Sequence, residues 1–179
     1  PLYSSAASDV YKRQLRKLLH LGGREMPFNA FAPTTQMLGR WQPWNDGHTE
    51  LFKRYTKSIS FETYDEIREA IYGEGNRNPF KSKIIEVFDG QKLIAVGIFD
   101  IGKQSAQSIL HFYDPDYSKY SLGKYLLLIT VRYSQEHKFT FYYPGYIVCN
   151  RPCFDYKLFL GEDIAQYYDP SNADWFVYD

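Results

Sequence analysis

The densest run of side chains able to do chemistry lies between His111 and Tyr125. It reads His111-Phe112-Tyr113-Asp114-Pro115-Asp116-Tyr117, then Ser121-Leu122-Gly123-Lys124-Tyr125. Asp114 and Asp116 flank a proline, and two such carboxylates can offer a negative pocket to an ammonium or a paired acceptor to a guanidinium. Asp114 could equally cap the turn before Pro115. The pattern predicts a strand that stops at an acidic, proline-fixed turn, with a helix starting at Ser121. Ser121 suits an N-cap, and Gly123 lets another backbone approach the first turn. Free amides at a helix start favour negative charge, so phosphate is the chemistry this junction points to, with helix capping alone as the plainer reading.

Other candidates surround that junction. Tyr113, Tyr142 and Tyr143 could stack on a nucleobase or donate to a developing oxyanion, although strand packing accounts for any one of them equally well. Arg54 and Lys157 could hold a carboxylate or a phosphate, but lone charges are more often solvated surface. Trp41 beside Arg40 could line a cleft, with core packing the commoner role. His111 falls in a predicted strand, where a satisfied sheet histidine is a simpler reading than a base. Asp100 reads as a turn residue. His48 and His137 have no partner visible in the sequence.

The elements that must position these groups follow from periodicity. Leu51, Phe52, Tyr55 and Ile59 recur at helical spacing, which predicts a helix over Thr49 to Ser58. Thr63 and Glu66 form a capping-box pattern ahead of a second helix through Ile67 and Ile71, with Gly73 as its stop. Ile84 to Phe88, the Asp89-Gly90 turn and Lys92 to Phe99 read as a hairpin, and Ser105 to Tyr113 as a third strand. Leu122, Tyr125, Leu126, Ile129 and Tyr133 mark an amphipathic helix. Phe139 to Tyr143 and Phe154 to Leu160 read as later strands. Trp175, Phe176 and Tyr178 are expected to tuck against the body. Helix, helix, antiparallel strands, helix, strand, strand is the order of the acetyltransferase-like (GNAT) α/β fold. The expected architecture is therefore α+β, a mixed, mostly antiparallel twisted sheet flanked by helices. That fold grips acyl-CoA through a Gln/Arg-x-x-Gly-x-Gly/Ala loop, and here only one glycine stands at that place. A different phosphate-bearing acyl donor is the natural inference.

Composition bounds the rest. The 179 residues suffice for one domain with a real core. Lys plus Arg and Asp plus Glu both number 21, so any RNA partner must find a local basic patch rather than an overall positive field. Aromatics reach 18%, which suits a polar cleft between aromatic walls as well as a tyrosine-rich sheet. Cys149 and Cys153 are too few for a disulfide scaffold, fit a reducing cytosol, and lack the histidine pair a zinc site would add. The longest apolar run, Tyr125 to Val131, is too short to span a bilayer. Residues 1–14 are Ser/Ala-rich without periodicity and resemble translated sequencing adapter. The expectation is a non-native tail at 1–14 and a single domain over 15–179, and the sequence leaves open whether a genuine N-terminal region is missing.

Four segments then carry a resemblance. Leu93-Ile94-Ala95-Val96-Gly97-Ile98-Phe99-Asp100, Phe112 to Tyr117, Ser121 to Tyr125, and Tyr142-Tyr143-Pro144-Gly145-Tyr146-Ile147 follow in order. Together they resemble the C-terminal domain of arginyl-tRNA–protein transferases. Tyr156-Lys157 behind Pro152 resembles that family's next motif, and Leu51-Phe52-Lys53-Arg54-Tyr55 an earlier helix. Pro144 stands where the family has Leu, Thr56 where it has Gln, and Arg151 and Phe154 where it has Cys and Met; its Cys-rich N-terminal domain has no counterpart here.

The resemblance implies an aminoacyltransferase. It would move arginine, or leucine as bacterial relatives do, from aminoacyl-tRNA to a protein beginning with Asp or Glu, marking it for degradation in the cytoplasm through the N-degron pathway. No cofactor and no metal are implied, nor a membrane. On this reading Asp114, Tyr113 and Tyr143 stand at the chemistry. Asp116, Ser121, Gly123, Lys124, Tyr142, Arg54, Tyr55, Tyr156, Lys157, Arg40 and Trp41 stand around the substrates. The competing readings are an acyl-CoA-dependent N-acetyltransferase on the same fold and a non-catalytic binder of acidic N-termini or tRNA.

Overall fold

The computed structural model describes residues 2–6, 34–38, 45–61, 63–72, 80–146, 156–158, 160–161, 165–169 and 171–177. Helix α1 is Asp46–Ser58 and α2 is Ile67–Tyr72. Asn45 starts α1: its side chain accepts from the His48 N–H at 2.9 Å, and His48 Nδ1 accepts from the Asn45 N–H at 3.3 Å. With Nδ1 accepting, Nε2 carries the ring hydrogen, which Glu86 Oε1 accepts at 2.6 Å. His48, without a partner in the sequence reading, thus caps α1 and ties it to the sheet. The capping box lies here rather than at Thr63 and Glu66, because α2 begins only at Ile67 and Glu66 cannot occupy its third position. There Glu69 Oε2 accepts from the Asp65 N–H at 3.3 Å.

Strands β1 (Leu2–Ala6), β2 (Thr34–Leu38), β3 (Lys81–Asp89), β4 (Lys92–Ile101), β5 (Ser105–Tyr113), β6 (Phe141–Tyr146), β7 (Ala165–Asp169) and β8 (Asp174–Val177) form one sheet. Its order is β2-β3-β4-β5-β6-β1-β7-β8. All pairings are antiparallel except β5 with β6, which helix α3 (Leu122–Glu136) connects. Gly90 makes the β3–β4 turn with φ 58, a conformation that suits glycine. The sequence reading set 1–14 aside. In the structure Leu2–Ala6 fills the slot between β6 and β7, whose edges offer ladder groups that an extended segment can satisfy.

Strand alternation sends apolar residues to two core layers. Ile85, Val87, Ala95, Phe99, Leu122, Leu126 and Val131 pack between the sheet and α3. Leu51, Phe52, Ile67, Ile84, Val96, Ile98 and Phe112 pack beneath α1 and α2, with Phe52 and Phe112 edge to face at 5.2 Å. Asp100 lies within β4 rather than in a turn, and accepts from the Ser82 hydroxyl across the strand pair. His137 ends α3, its ring stacked on Tyr133 and its Nδ1–H donated to the Tyr133 carbonyl.

Two expectations fail near the C-terminus. Residues 156–158 form a short 3-10 turn, not a strand, since a brief apolar run carries no periodicity to tell the two apart. The strands come later, as the β7–β8 hairpin. Trp175 and Phe176 lie exposed because β8 is the sheet edge. Tyr178 and Gly73 fall outside the described residues.

Candidate functional site

Asp114 ends β5 and is fully buried, and its carboxylate meets four donors. Oδ1 accepts from Arg54 Nη2 at 2.8 Å and from the Asp116 N–H at 3.1 Å. Oδ2 accepts from Arg54 Nη1 at 2.9 Å and from Lys92 Nζ at 2.8 Å. These donors match the four lone-pair directions of a carboxylate, leaving no vacancy for a substrate ammonium. The paired hydrogen bond expected for a guanidinium does form, but with the chain's own Arg54. Burial pushes the Asp114 carboxyl up, yet the hydrogen bonds from Lys92 and the Asp116 amide and the charge of Arg54 outweigh it, leaving it below the ordinary carboxylate value. One carboxylate thereby joins α1, the start of β4 and the 3-10 helix at Pro115–Tyr120, whose N-cap it also forms.

Beside this clamp the sheet splays. Parallel β5 and β6 pair only through Ser105, Ala106 and Gln107 against Phe141, Tyr142 and Tyr143, and among the described residues they then part. Beyond Gln107 the edge of β5 facing β6 has no ladder partner there. A bulge decides which side chains look into the opening: Ile98 faces Leu110 but Phe99 faces Ser108, so Ile109 is extra. Ser108 and His111, three residues apart, would otherwise point to opposite faces. The bulge puts both on the α3 side, with Ser108 Oγ 3.3 Å from His111 Nε2 and 2.6 Å from the Tyr142 hydroxyl. Gly97 leaves room for the imidazole, since a Cβ there would stand 3.4 Å from His111 Cδ2 and 3.1 Å from Leu126 Cδ2. Burial, with the nearby Lys157 charge, pushes His111 down to about 3, so at neutral pH it is an uncharged ring and far too weak a base for an amine.

The junction after Asp114 is built differently from its prediction. Ser121 occupies the N-cap of α3 but in a left-handed conformation, φ 52 and ψ 44, and its hydroxyl makes no capping bond. The amides at the α3 start therefore lack that side-chain acceptor. Tyr113 lies against Tyr55 at 5.2 Å, and Gly123 faces the Tyr113 ring. Lys124 is exposed on the first turn. Tyr117 donates to Asp89 Oδ2 at 2.7 Å, a bond that with burial raises its phenol to about 12, and Lys92 lies 5.0 Å above its ring.

The predicted residues thus assemble into three adjoining groups: Arg54, Asp114 and Asp116; Tyr55, Tyr113 and Gly123; Tyr142 and Lys157. Tyr143 is not with them. Its neighbour Tyr142 belongs to the α3-side core, so alternation turns Tyr143 to the other face, against Trp175 at 5.9 Å. Tyr156 packs half-buried on the α3-side core. Arg40, Trp41, Cys149 and Cys153 lie outside the described residues. Lys92, Ser108 and Asp89 were missed. Lys92 and Asp89 had a signal in the tight turn that brings them beside the end of β5, whereas the bulge that recruits Ser108 left none in a period-2 pattern. Among the described residues no cluster of His, Cys, Asp or Glu could hold a metal, and no helix is long and apolar enough to cross a membrane.

Among the described residues, the sheet order, one parallel pair that splays and a helix connecting its strands define an acetyltransferase-like domain. The ribosomal-protein-S18-alanine N-acetyltransferase of Escherichia coli shares this fold, with a TM-score of 0.51 over 79% of this chain and 88% of that one at 13% identity. The family described as arginine-tRNA-protein transferase, C terminus, matches residues 47–163, more than half of the chain, and the chain belongs to that family. It is 37% identical over 73 residues to arginyl-tRNA–protein transferase 1 of Saccharomyces cerevisiae, covering 41% of this chain and 14% of the relative. It is 34% identical over 77 residues to an aspartate/glutamate leucyltransferase of Vibrio cholerae, covering 43% and 33%. The same-named protein of Ruegeria pomeroyi is 29% identical over 158 residues, covering 84% and 52%. The chain spans a third or less of the first two relatives and about half of the third.

Two outcomes follow for the clamp and the splay. Asp114→Asn should lower unfolding stability by about 2 to 3 kcal/mol in urea titration, less than the usual cost of breaking a buried pair, because Arg54 and Lys92 side chains stay 41% and 47% exposed and keep access to water. A loss below about 0.5 kcal/mol would contradict a structural clamp. Because folded His111 binds its proton less readily than the unfolded chain does, stability should fall as pH drops from about 6.5 towards about 3, with a slope of up to about 1.4 kcal/mol per unit. Asp114 adds to the loss only at the acid end of that range. His111→Gln should flatten the slope between about pH 6.5 and 4; an unchanged slope contradicts a buried neutral ring.

Proposed function

We propose that this domain transfers arginine or leucine from aminoacyl-tRNA to the N-terminal amine of proteins beginning with Asp or Glu. The observation that carries the reading is the parting of β5 and β6 after three rungs, beside a helix start that has neither a capping hydroxyl nor the glycine-rich loop of acyl-CoA enzymes. Family membership supports the same chemistry.

The donor is an ester, already activated, so the protein must chiefly position two substrates and support the oxyanion. The attacking amine has a pKa near ~8, and a modest proton acceptor suffices. Asp114 acts here as a positioning residue that keeps the end of β5 fixed. Asp116, still 71% exposed, is the carboxylate able to meet the donor's α-ammonium. Tyr55 and Tyr113 offer rings on which the terminal adenine can stack. A charged tRNA as donor assigns the reaction to the cytoplasm, and the product bears one additional N-terminal residue that serves as a degradation mark.

The test is direct. Incubation with arginyl-tRNA or leucyl-tRNA and peptides beginning with Asp, Glu or Ala should add the mass of one residue to the acidic peptides. No gain with either donor, together with saturable acetyl-CoA binding, would assign the site to acyl-CoA instead.

A further inference from the structure

Helix α1 carries Arg54 and Tyr55 to the end of β5, yet the apolar layer beneath it does not fix how the helix is rolled. Contacts such as Phe52 against Phe112 are non-directional and leave a helix free to turn by small steps. Two directional contacts remove that freedom. Near the helix start the His48 ring, 2% exposed, accepts at Nδ1 from the Asn45 N–H at 3.3 Å and donates from Nε2 to Glu86 Oε1 at 2.6 Å. Further along, Arg54 donates to Asp114 at 2.8 and 2.9 Å and to Asp116 at 2.9 Å. His48 and Arg54 are six residues apart, so about 9 Å along the axis and about 240° around it. The first contact reaches β3 and the second the end of β5, so α1 is held on both sides of β4. Glu86 is 6% exposed and follows Ile84 on the α1 face of β3. A buried carboxylate–imidazole pair in an apolar layer is a poor source of stability, because apolar side chains of similar size fill such a site as well or better. What the pair supplies is direction.

We infer that His48 and Glu86 are positioning residues for the transfer proposed above: their bond sets the roll of α1 on the sheet so that Tyr55 lies against Tyr113 and Arg54 reaches Asp116. The inference rests on that reading of the site, in which the Tyr55 and Tyr113 rings take the terminal adenine and Asp116 the donor's α-ammonium. Neither positioning residue touches a substrate. Without their bond α1 keeps its apolar contacts but samples several closely spaced rolls. A roll of about 20° moves a side-chain atom about 5 Å from the helix axis by about 2 Å, more than a hydrogen bond tolerates. Asp116 then loses its 2.9 Å bond, and the Tyr55 ring its place 5.2 Å from Tyr113. The effect falls on the donor, because those are the groups that α1 places.

The test compares His48→Leu/Glu86→Met, which fills the site with apolar side chains, with Glu86→Gln, which keeps an oxygen for the His48 Nε2–H. Steady-state kinetics are read separately against aminoacyl-tRNA and against an acidic peptide. In the double variant KM for aminoacyl-tRNA should rise on the order of 10- to 100-fold, while KM for the peptide and the urea midpoint stay near wild type. Glu86→Gln should stay within about twofold of wild type for both substrates. The Arg54 guanidinium NMR signals should move in the double variant and hold in Glu86→Gln. An unchanged KM for aminoacyl-tRNA in the folded double variant overturns the proposal. So does an equal rise in both KM values, which marks general loosening, or Glu86→Gln behaving like the double variant. If the double variant has no cooperative unfolding transition, Glu86→Met alone is held to the same criteria. Its failure to fold would make the pair a folding element and overturn the positioning role. Wild-type protein that transfers no residue to any peptide refutes the proposed function itself. The Arg54 signals then still report whether the pair sets α1, and unmoved signals refute that too.

Discussion

Two parallel strands that pair over three rungs and then separate leave main-chain groups without a ladder among the described residues, and the rest of the site depends on that separation being held. Nothing in the sheet itself enforces it, because hydrogen bonding favours closure. The restraint comes from the end of β5. There the buried Asp114 carboxylate ties the strand to Arg54 of α1 and Lys92 of β4 through four donors. On the far side β6 is drawn towards β1, with which it pairs along its length. The splay thus lies between one strand pinned by charge and another claimed by a different neighbour.

Charge beside the splay is arranged by the same economy. Asp114 takes up Arg54 and Lys92 beside the junction, and burial with the nearby Lys157 charge keeps the His111 ring neutral. Tyr117, bonded to Asp89 and with its phenol raised to about 12, stays protonated and structural. A chain with equal numbers of acidic and basic residues can in this way hold buried charge in place without a net positive surface.

Much of the scaffold was legible in the sequence. The β3–β4 hairpin, β5 and α3 were read from period-2 and period-3.6 patterns that survive because each element buries one defined face or both. What stayed hidden was tertiary or irregular. The bulge at Ile109 breaks the alternation on which Ser108 and His111 would have been read, so His111 looked like an isolated sheet residue. His48 seemed partnerless because Glu86 lies 38 positions away. Asp114 looked like a substrate pocket because a local pattern cannot show that Arg54, 60 positions earlier, fills it. Tyr143 was grouped with Tyr142 by motif, although neighbouring strand residues face opposite ways. In the last third, short aromatic runs gave no clear period, and the turn at 156–158 and the β7–β8 hairpin were misread.

The claim at the centre is that the donor's acyl group enters between β5 and β6. Binding of a short RNA acceptor stem, its terminal ribose carrying the amino acid through a non-hydrolysable amide, should be followed by backbone-amide NMR shifts. The account predicts the largest shifts at Ser108 to His111, at Gly145 and at the start of α3. Shifts confined to the β7–β8 hairpin around Trp175, with the parted strand edges unmoved, would contradict it.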